Sequence, residues 1–277
     1  MVAGGFGYAP HPQDGAAWIT GASSGIGRET ALRLARDGWT VFATARSLDR
    51  LEALQAAHPS IIPMVGDVTD RGAMKEIVGA LRRTHPIALA VLNAGIYYPM
   101  RAQDYDAQKA AQTIDINLTG VSNCLEPLLH TMLEQKKQRG GRGCIALVAS
   151  VAGYRGLPRG GPYCATKAGL IALAESLAFD LVPQGVRISV INPGFVETPA
   201  TEVNTFKMPF LMSAEDAAAH IVKGLQGRRF EIAFPTPFVL ILKALGMLRP
   251  HSYFWVLRKA LGWDKATHSK GSNTDSI

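Results

Sequence analysis

The chain has 277 residues, 47% hydrophobic and 18% charged, with a formal net charge of +7. It is too apolar for a disordered chain and long enough for one large α/β domain. The positive balance forms no basic stripe interleaved with aromatics and no helix-turn-helix pattern, which argues against a nucleic-acid partner.

In chain order, residues 1–15 are rich in Gly and Pro and lack the basic-then-apolar order of a signal peptide. They read as a loose leader. Short apolar runs at 16–20, 40–45, 61–65, 88–93, 144–149 and 187–191 predict buried strands. Between them, 27–37, 48–57, 73–83, 107–135 and 163–182 carry helical spacing and good helix formers. Such alternation predicts a doubly wound parallel sheet with helices on both faces and ligands at the carboxyl ends of its strands. No linker divides residues 16–232, which are expected to form a single domain. The apolar run 238–242 is stopped by Lys243, and no uncharged run is long enough to cross a bilayer. Cys124, Cys144 and Cys164 form neither a close pair nor a metal-ligand spacing. No disulfide framework or metal site is expected, and a reducing, cytoplasmic setting fits.

The first predicted strand runs into Thr20-Gly21-Ala22-Ser23-Ser24-Gly25-Ile26-Gly27. Glycines between a strand and a helix permit a tight turn and close backbone approach, and the free N–H groups of the helix start suit a pyrophosphate. Alone, such a turn is a weak signal. The second strand ends in Ala45 and Arg46, where an acid would bond an adenosine ribose; Arg46 instead suits a 2′-phosphate. The expected cofactor is therefore NADP(H).

Far downstream, Tyr163 and Lys167 stand four residues apart on a predicted helix, so phenol and ammonium share a face. Ser150 precedes them by thirteen positions. A hydroxyl, a phenol and an amine beside a dinucleotide turn are the groups that hydride transfer between carbonyl and alcohol needs.

Together these residues resemble the classical form of the short-chain dehydrogenase/reductase family, over roughly residues 16–200. The further motifs are Asp67-Val68, Asn93-Ala94-Gly95, Asn117, and Asn192-Pro193-Gly194 with Val196 and Thr198. The resemblance implies a Rossmann-like domain with a seven-stranded parallel sheet in a homodimer or homotetramer. It implies Tyr163 as general acid, Lys167 lowering its pKa and bonding the nicotinamide ribose, Ser150 holding the carbonyl, and Asn117 anchoring a proton-relay water. Gly21, Ser23, Ser24, Gly25, Ile26, Gly27 and Arg46 would bind the phosphates. Asp67 and Val68 would contact adenine, and Asn93, Ala94 and Gly95 would line the adenosine and ribose pocket. Pro193, Gly194, Val196 and Thr198 would hold the nicotinamide amide and phosphates. Leu147 and Ala149 stand where the family often has Ser or Asn, and Ser23-Ser24 lack the basic residue common in NADP-preferring members.

Phe206, Met208, Pro209, Phe210, Leu211 and Met212, with Tyr97, Tyr98 and Met100, form an apolar set that suits a lipophilic carbonyl, or simply packs a lid. From 233 to 267 the chain carries two basic amphipathic stretches with aromatics and is expected to be a helical extension. It would cover the pocket, contact a second subunit or lie in a membrane interface. Residues 268–277 are expected to fray. A nicotinamide-binding sensor without turnover is the alternative from another class; it is expected to lack Tyr163 or Lys167, and both are present.

Overall fold

Strands without polar alternation must be covered on both faces, which parallel sheets achieve with helical crossovers. The computed structural model describes residues 8–139, 143–202 and 208–260. The apolar runs are β1 (Ala16–Thr20), β2 (Val41–Ala45), β3 (Ile61–Val65), β4 (Ile87–Leu92), β5 (Gly143–Val148) and β6 (Val186–Pro193). They join β7 (Glu231–Phe234) in one parallel sheet of order β3-β2-β1-β4-β5-β6-β7. The order reverses between β1 and β4, and that switch point opens a crevice at the carboxyl ends of the strands.

The helices are α1 (Gly25–Arg36), α2 (Leu48–Ala57), α3 (Arg71–Thr84), α4 (Ala107–Ile114), α5 (Gly120–Arg139), α6 (Gly161–Leu181), α7 (Ala214–Gln226), α8 (Thr236–Gly246) and α9 (Pro250–Ala260). Leu34, Leu51 and Ile221 of α1, α2 and α7 pack with Ile19 and Val41 on one face of the sheet. Met74, Leu128 and Leu170 of α3, α5 and α6 pack with Trp18 and Leu92 on the other. The Trp18 indole is fully buried, and its N–H donates to Thr44 Oγ1 at 2.9 Å.

Three expectations need correction. The helix expected over 107–135 is two helices, α4 and α5, joined by a π turn at Asp115–Thr119. Residues 8–15 are not a loose leader: Pro12–Asp14 form a 3₁₀ turn, and Tyr8 Oη donates to Asp14 at 2.5 Å. The boundary at 232/233 falls inside β7, so the extension begins within the sheet. The fraying tail expected at 268–277 lies outside the described residues.

Arg187 is a fully buried cation on β6. Its guanidinium donates to Ser189 Oγ at 2.8 Å and to the carbonyls of Leu225 at 2.9 Å and Arg229 at 3.0 Å. It also reaches the carbonyls of Gly227 and Tyr8. Spread over five acceptors, it satisfies the C-terminal end of α7 and holds the first described segment against the sheet.

Candidate active site

The glycine turn lies between β1 and α1. Gly21 and Gly25 adopt φ of +66° and +52°, which L side chains disfavour. Gly27 has no space for a Cβ, which would lie 2.3 Å from the Gly21 carbonyl and 2.5 Å from Asn93 Nδ2. Ser24 caps α1 in an extended conformation without a side-chain hydrogen bond. Its hydroxyl therefore leaves the first N–H groups of the helix to another acceptor. Asn93 fastens the turn from β4: its Nδ2 donates to the carbonyls of Thr20 and Gly21 at 3.1 and 3.2 Å. The N–H groups of Asn93 and Ala94 return to Thr20 Oγ1 at 3.0 and 3.2 Å.

Beside this turn, β2 ends in Ala45 and offers no carboxylate. Arg46 is largely exposed, its Nη1 3.8 Å from Asp67 Oδ2 at the end of β3. Asp67 Oδ1 accepts from the N–H and hydroxyl of Thr69, both at 2.9 Å. Val68 is buried, and Gly120 at the start of α5 gives it room.

The π turn places Asn117. Its Oδ1 accepts from Ile96 N at 2.8 Å, and its Nδ2 donates to Ile96 O at 2.9 Å and Thr166 Oγ1 at 3.3 Å. Both amide protons are thus used to brace the turn after β4 against α6. Only a spare lone pair on Oδ1 remains for the water that the resemblance implies. π turns concentrate at functional sites because they redirect side chains. A Cβ on Gly95 would lie 3.3 Å from Asn117 Oδ1 and 3.5 Å from Lys167 Nζ, so glycine there lets the turn approach both.

Ser150 follows β5 and caps the short 3₁₀ turn Val151–Gly153, its Oγ accepting from Ala152 N at 3.1 Å. Tyr163 and Lys167 rise from the first turns of α6. Lys167 is buried and its Nζ donates to Val148 O at 2.7 Å. Nζ lies 5.5 Å from the centre of the Tyr163 ring, and Tyr97 packs edge-on against that ring at 5.0 Å. Burial pushes the Tyr163 phenol up to about 12, with the Ser150 hydroxyl pulling the other way. Burial alone pulls Lys167 down to about 8. The lowering of Tyr163 expected from Lys167 is not among the influences on the phenol, which desolvation dominates.

On the far wall, Pro193 ends β6 and Gly194 N donates to Phe234 O at 2.8 Å. Val196 is buried and bridges to Met212. Thr198 stands over the glycine turn, where a Cβ on Gly25 would meet its Cγ2 at 2.9 Å. Phe210 tilts onto Phe238, their ring centres 5.8 Å apart; Phe206 lies outside the described residues.

A supporting cluster behind Ser150 has no counterpart in the sequence reading. Glu231 of β7 accepts from Asn192 Nδ2 at 2.8 Å and from Tyr154 Oη and Lys243 Nζ. Burial raises the Glu231 carboxyl, but these three donors outweigh it and hold the pKa below the ordinary value. One residue on, Arg155 Nη1 donates to the carbonyls of Leu245, Gly246 and Leu248 at 3.3, 3.0 and 2.6 Å. Its guanidinium lies 4.0 Å over the ring of Tyr253, whose Oη donates to Gly156 O at 2.6 Å. The segment between Ser150 and Tyr163 is thereby tied to α8 and α9. Arg155 is joined to its carbonyl partners across more than eighty residues, and no local pattern marks it.

A Rossmann-type sheet with a glycine turn at its switch point, and a Ser, a Tyr and a Lys beside it, defines a nicotinamide-dependent oxidoreductase. The sequence profile of the short chain dehydrogenase family matches residues 15–208, and the chain belongs to that family. It is 41% identical over 224 residues to an uncharacterized oxidoreductase of Myxococcus xanthus, covering 79% of this chain and 87% of that one. It is 35% identical over 225 residues to a 3-oxoacyl-(acyl-carrier-protein) reductase of Thermotoga maritima, covering 78% and 85%. Among solved structures, an alcohol dehydrogenase of the archaeon Thermococcus sibiricus complexed with 5-hydroxy-NADP superposes with a TM-score of 0.69. That pair is 27% identical, over 79% of this chain and 95% of the other.

Proposed function

We propose that the chain is an NADP(H)-dependent carbonyl reductase, or alcohol dehydrogenase in the reverse direction, acting on a lipophilic ketone, aldehyde or secondary alcohol. The observation that carries this reading is the convergence of Ser150, Tyr163 and Lys167 beside a glycine turn whose helix N-terminus has no side-chain hydrogen bond from its cap. The same turn supports a bound dinucleotide, since a pyrophosphate fits free N–H groups where no Cβ intrudes. Gly21, Ser23, Ser24, Gly25, Ile26 and Gly27 would hold it there. Asp67 and Val68 would flank the adenine, and Asn93, Ala94 and Gly95 the ribose. Pro193, Gly194, Val196 and Thr198 would hold the nicotinamide end, with Tyr163 and Lys167 on its ribose.

When bound, the reduced cofactor supplies the hydride. Ser150 Oγ holds the carbonyl oxygen and Tyr163 Oη delivers the proton, so that C=O gains one hydride and one proton to become an alcohol. Lys167, with a pKa close to neutrality, reprotonates the phenol, while Asn117 fixes the turn that borders the site. Alignment and a well-timed proton are the protein's contribution to such a reaction.

The choice of NADP rests on Arg46 and the missing acid at Ala45, and is in keeping with the NADP analogue carried by the archaeal relative. Replacing Arg46→Ala should raise KM for NADPH by roughly ten- to a hundredfold, the weight of a charge-assisted contact, and leave KM for NADH little changed. An enzyme indifferent to Arg46→Ala, or one faster with NADH, refutes that choice. The lipophilic-substrate reading rests on Tyr97, which packs against the Tyr163 ring, and on the apolar residues Met100, Phe210 and Met212. A panel running from small sugars to long-chain ketones tests it: turnover restricted to hydrophilic carbonyls contradicts the reading. The subunit arrangement proposed is a homodimer or homotetramer, readable by light scattering.

A further inference from the structure

Helix α8 is apolar on both faces. Phe238, Val239 and Leu242 are buried beneath it, together with Val151. Pro237, Leu240, Ile241, Ala244 and Met247 lie on the exposed side, with Leu240 at 62% and Met247 at 82% exposure. Helix α9 extends this surface with Phe254 and Trp255, exposed to 59% and 64%. A helix with apolar residues on two faces needs cover on each, and a patch of this kind marks a contact surface. Among the described residues, nothing covers it.

Charge narrows the choice of what does. From 233 to 263 the sequence contains no Asp or Glu, whereas Lys243, Arg249, Arg258 and Lys259 punctuate the apolar faces. Lys243 is engaged by Glu231, and Lys259 sits 5.0 Å over the Trp255 ring. A second copy meeting this face about a twofold axis would bring Arg249, Arg258 and Lys259 against one another, with no acid from 233–263 to separate them. Beyond α9, residues 261–277 carry only Leu261, Trp263 and Ile277 as apolar side chains larger than alanine. An anionic lipid surface matches both properties: acyl chains take up Leu240, Ile241, Met247, Phe254 and Trp255, and headgroups meet the cations.

We propose that α8 and α9 dock the protein onto an anionic membrane surface, lying in its interface. No described helix is long and apolar enough to cross a membrane. The docked face backs onto the site: Phe238 stacks on Phe195 with ring centres 5.6 Å apart, and Gly194 packs against Phe238. An apolar carbonyl dissolved in the lipid then reaches the wall formed after Gly194, a step that rests on the lipophilic-substrate reading above.

Sedimentation of the full chain with vesicles tests the docking itself. One set is phosphatidylcholine alone and the other three parts phosphatidylcholine to one part phosphatidylserine. The chain should sediment with the anionic vesicles, less so as salt screens the charge. Arg249→Gln with Lys259→Gln should weaken binding about fivefold per charge removed. Leu240→Gln with Trp255→Ser should weaken it at least about tenfold, with an unchanged melting temperature because both side chains are exposed. A wild-type chain that stays in the supernatant at low salt overturns the proposal. So does a Leu240→Gln, Trp255→Ser variant that turns a dimer into a monomer, since the face is then a contact between copies. Binding is read without turnover, so failure of the substrate reading alone leaves the docking result standing.

Discussion

Lys167 and Tyr163 are buried side by side, and desolvation moves both toward their neutral forms: the ammonium falls to about 8 and the phenol rises to about 12. In the proposed mechanism carbonyl reduction needs a proton on Tyr163, which burial keeps there throughout the neutral range. The group that changes state first on raising the pH is Lys167, which loses its proton near 8. The kcat/KM for reduction should therefore be level through neutral pH and fall as pH rises through about 8. Alcohol oxidation, which needs a proton acceptor, should climb over the same interval. A reduction profile that increases into alkaline pH, measured under steady-state conditions with saturating NADPH, contradicts this assignment. Ser150 also shapes the balance, since its hydroxyl is what pulls the phenol down against burial.

At the scale of elements, the site depends on how the segment after β5 is held. Arg155 satisfies three carbonyls at the C-terminal end of α8 and stacks on Tyr253, which in turn bonds Gly156. Replacing Arg155→Met keeps the length of the side chain and removes these hydrogen bonds. The expected loss is about 1–3 kcal/mol of stability in urea denaturation. Because Ser150 lies five residues upstream, KM for the carbonyl should rise several-fold while KM for NADPH stays put. Equal changes in both constants would mean a general loosening instead.

These elements also show what the sequence made readable. The strands were visible because buried parallel strands are unbroken apolar runs, and β1 and β3 fall on their expected limits. β7 has four residues, two of them partly exposed, and α7 begins just after the apolar lid set, where no element was predicted. Helical periodicity runs through 107–135 without interruption. The π turn there is accompanied by pairings of Asn117 with Ile96 and Thr166, between distant segments. Glycine spacing and the Tyr163/Lys167 interval are local and could be read. Arg155, Glu231 and Tyr253 act across folded distance and could not.

For the whole molecule, the extension is part of the structure as well as an exposed face. β7 completes the sheet, and α8 seals Val151, Phe195 and Gly194 behind the site. Burying Phe238, Val239 and Leu242 contributes about 1.5–3 kcal/mol each, against a typical total stability of about 5–15 kcal/mol. A chain truncated after Phe234 should melt far below the intact protein and lose turnover. Full activity in a truncated chain with an unchanged melting temperature would mean that α8 and α9 serve only as an anchor.

The central claim is that Tyr163 supplies the proton for carbonyl reduction, and it is tested most directly by NADPH oxidation across a carbonyl panel with Tyr163→Phe alongside the wild type. The substitution keeps the ring that packs on Tyr97 and removes only the hydroxyl. The predicted result is a loss of turnover on the order of a hundred- to ten-thousandfold, with NADPH binding retained. A Tyr163→Phe variant that reduces the same carbonyls at the wild-type rate would contradict it.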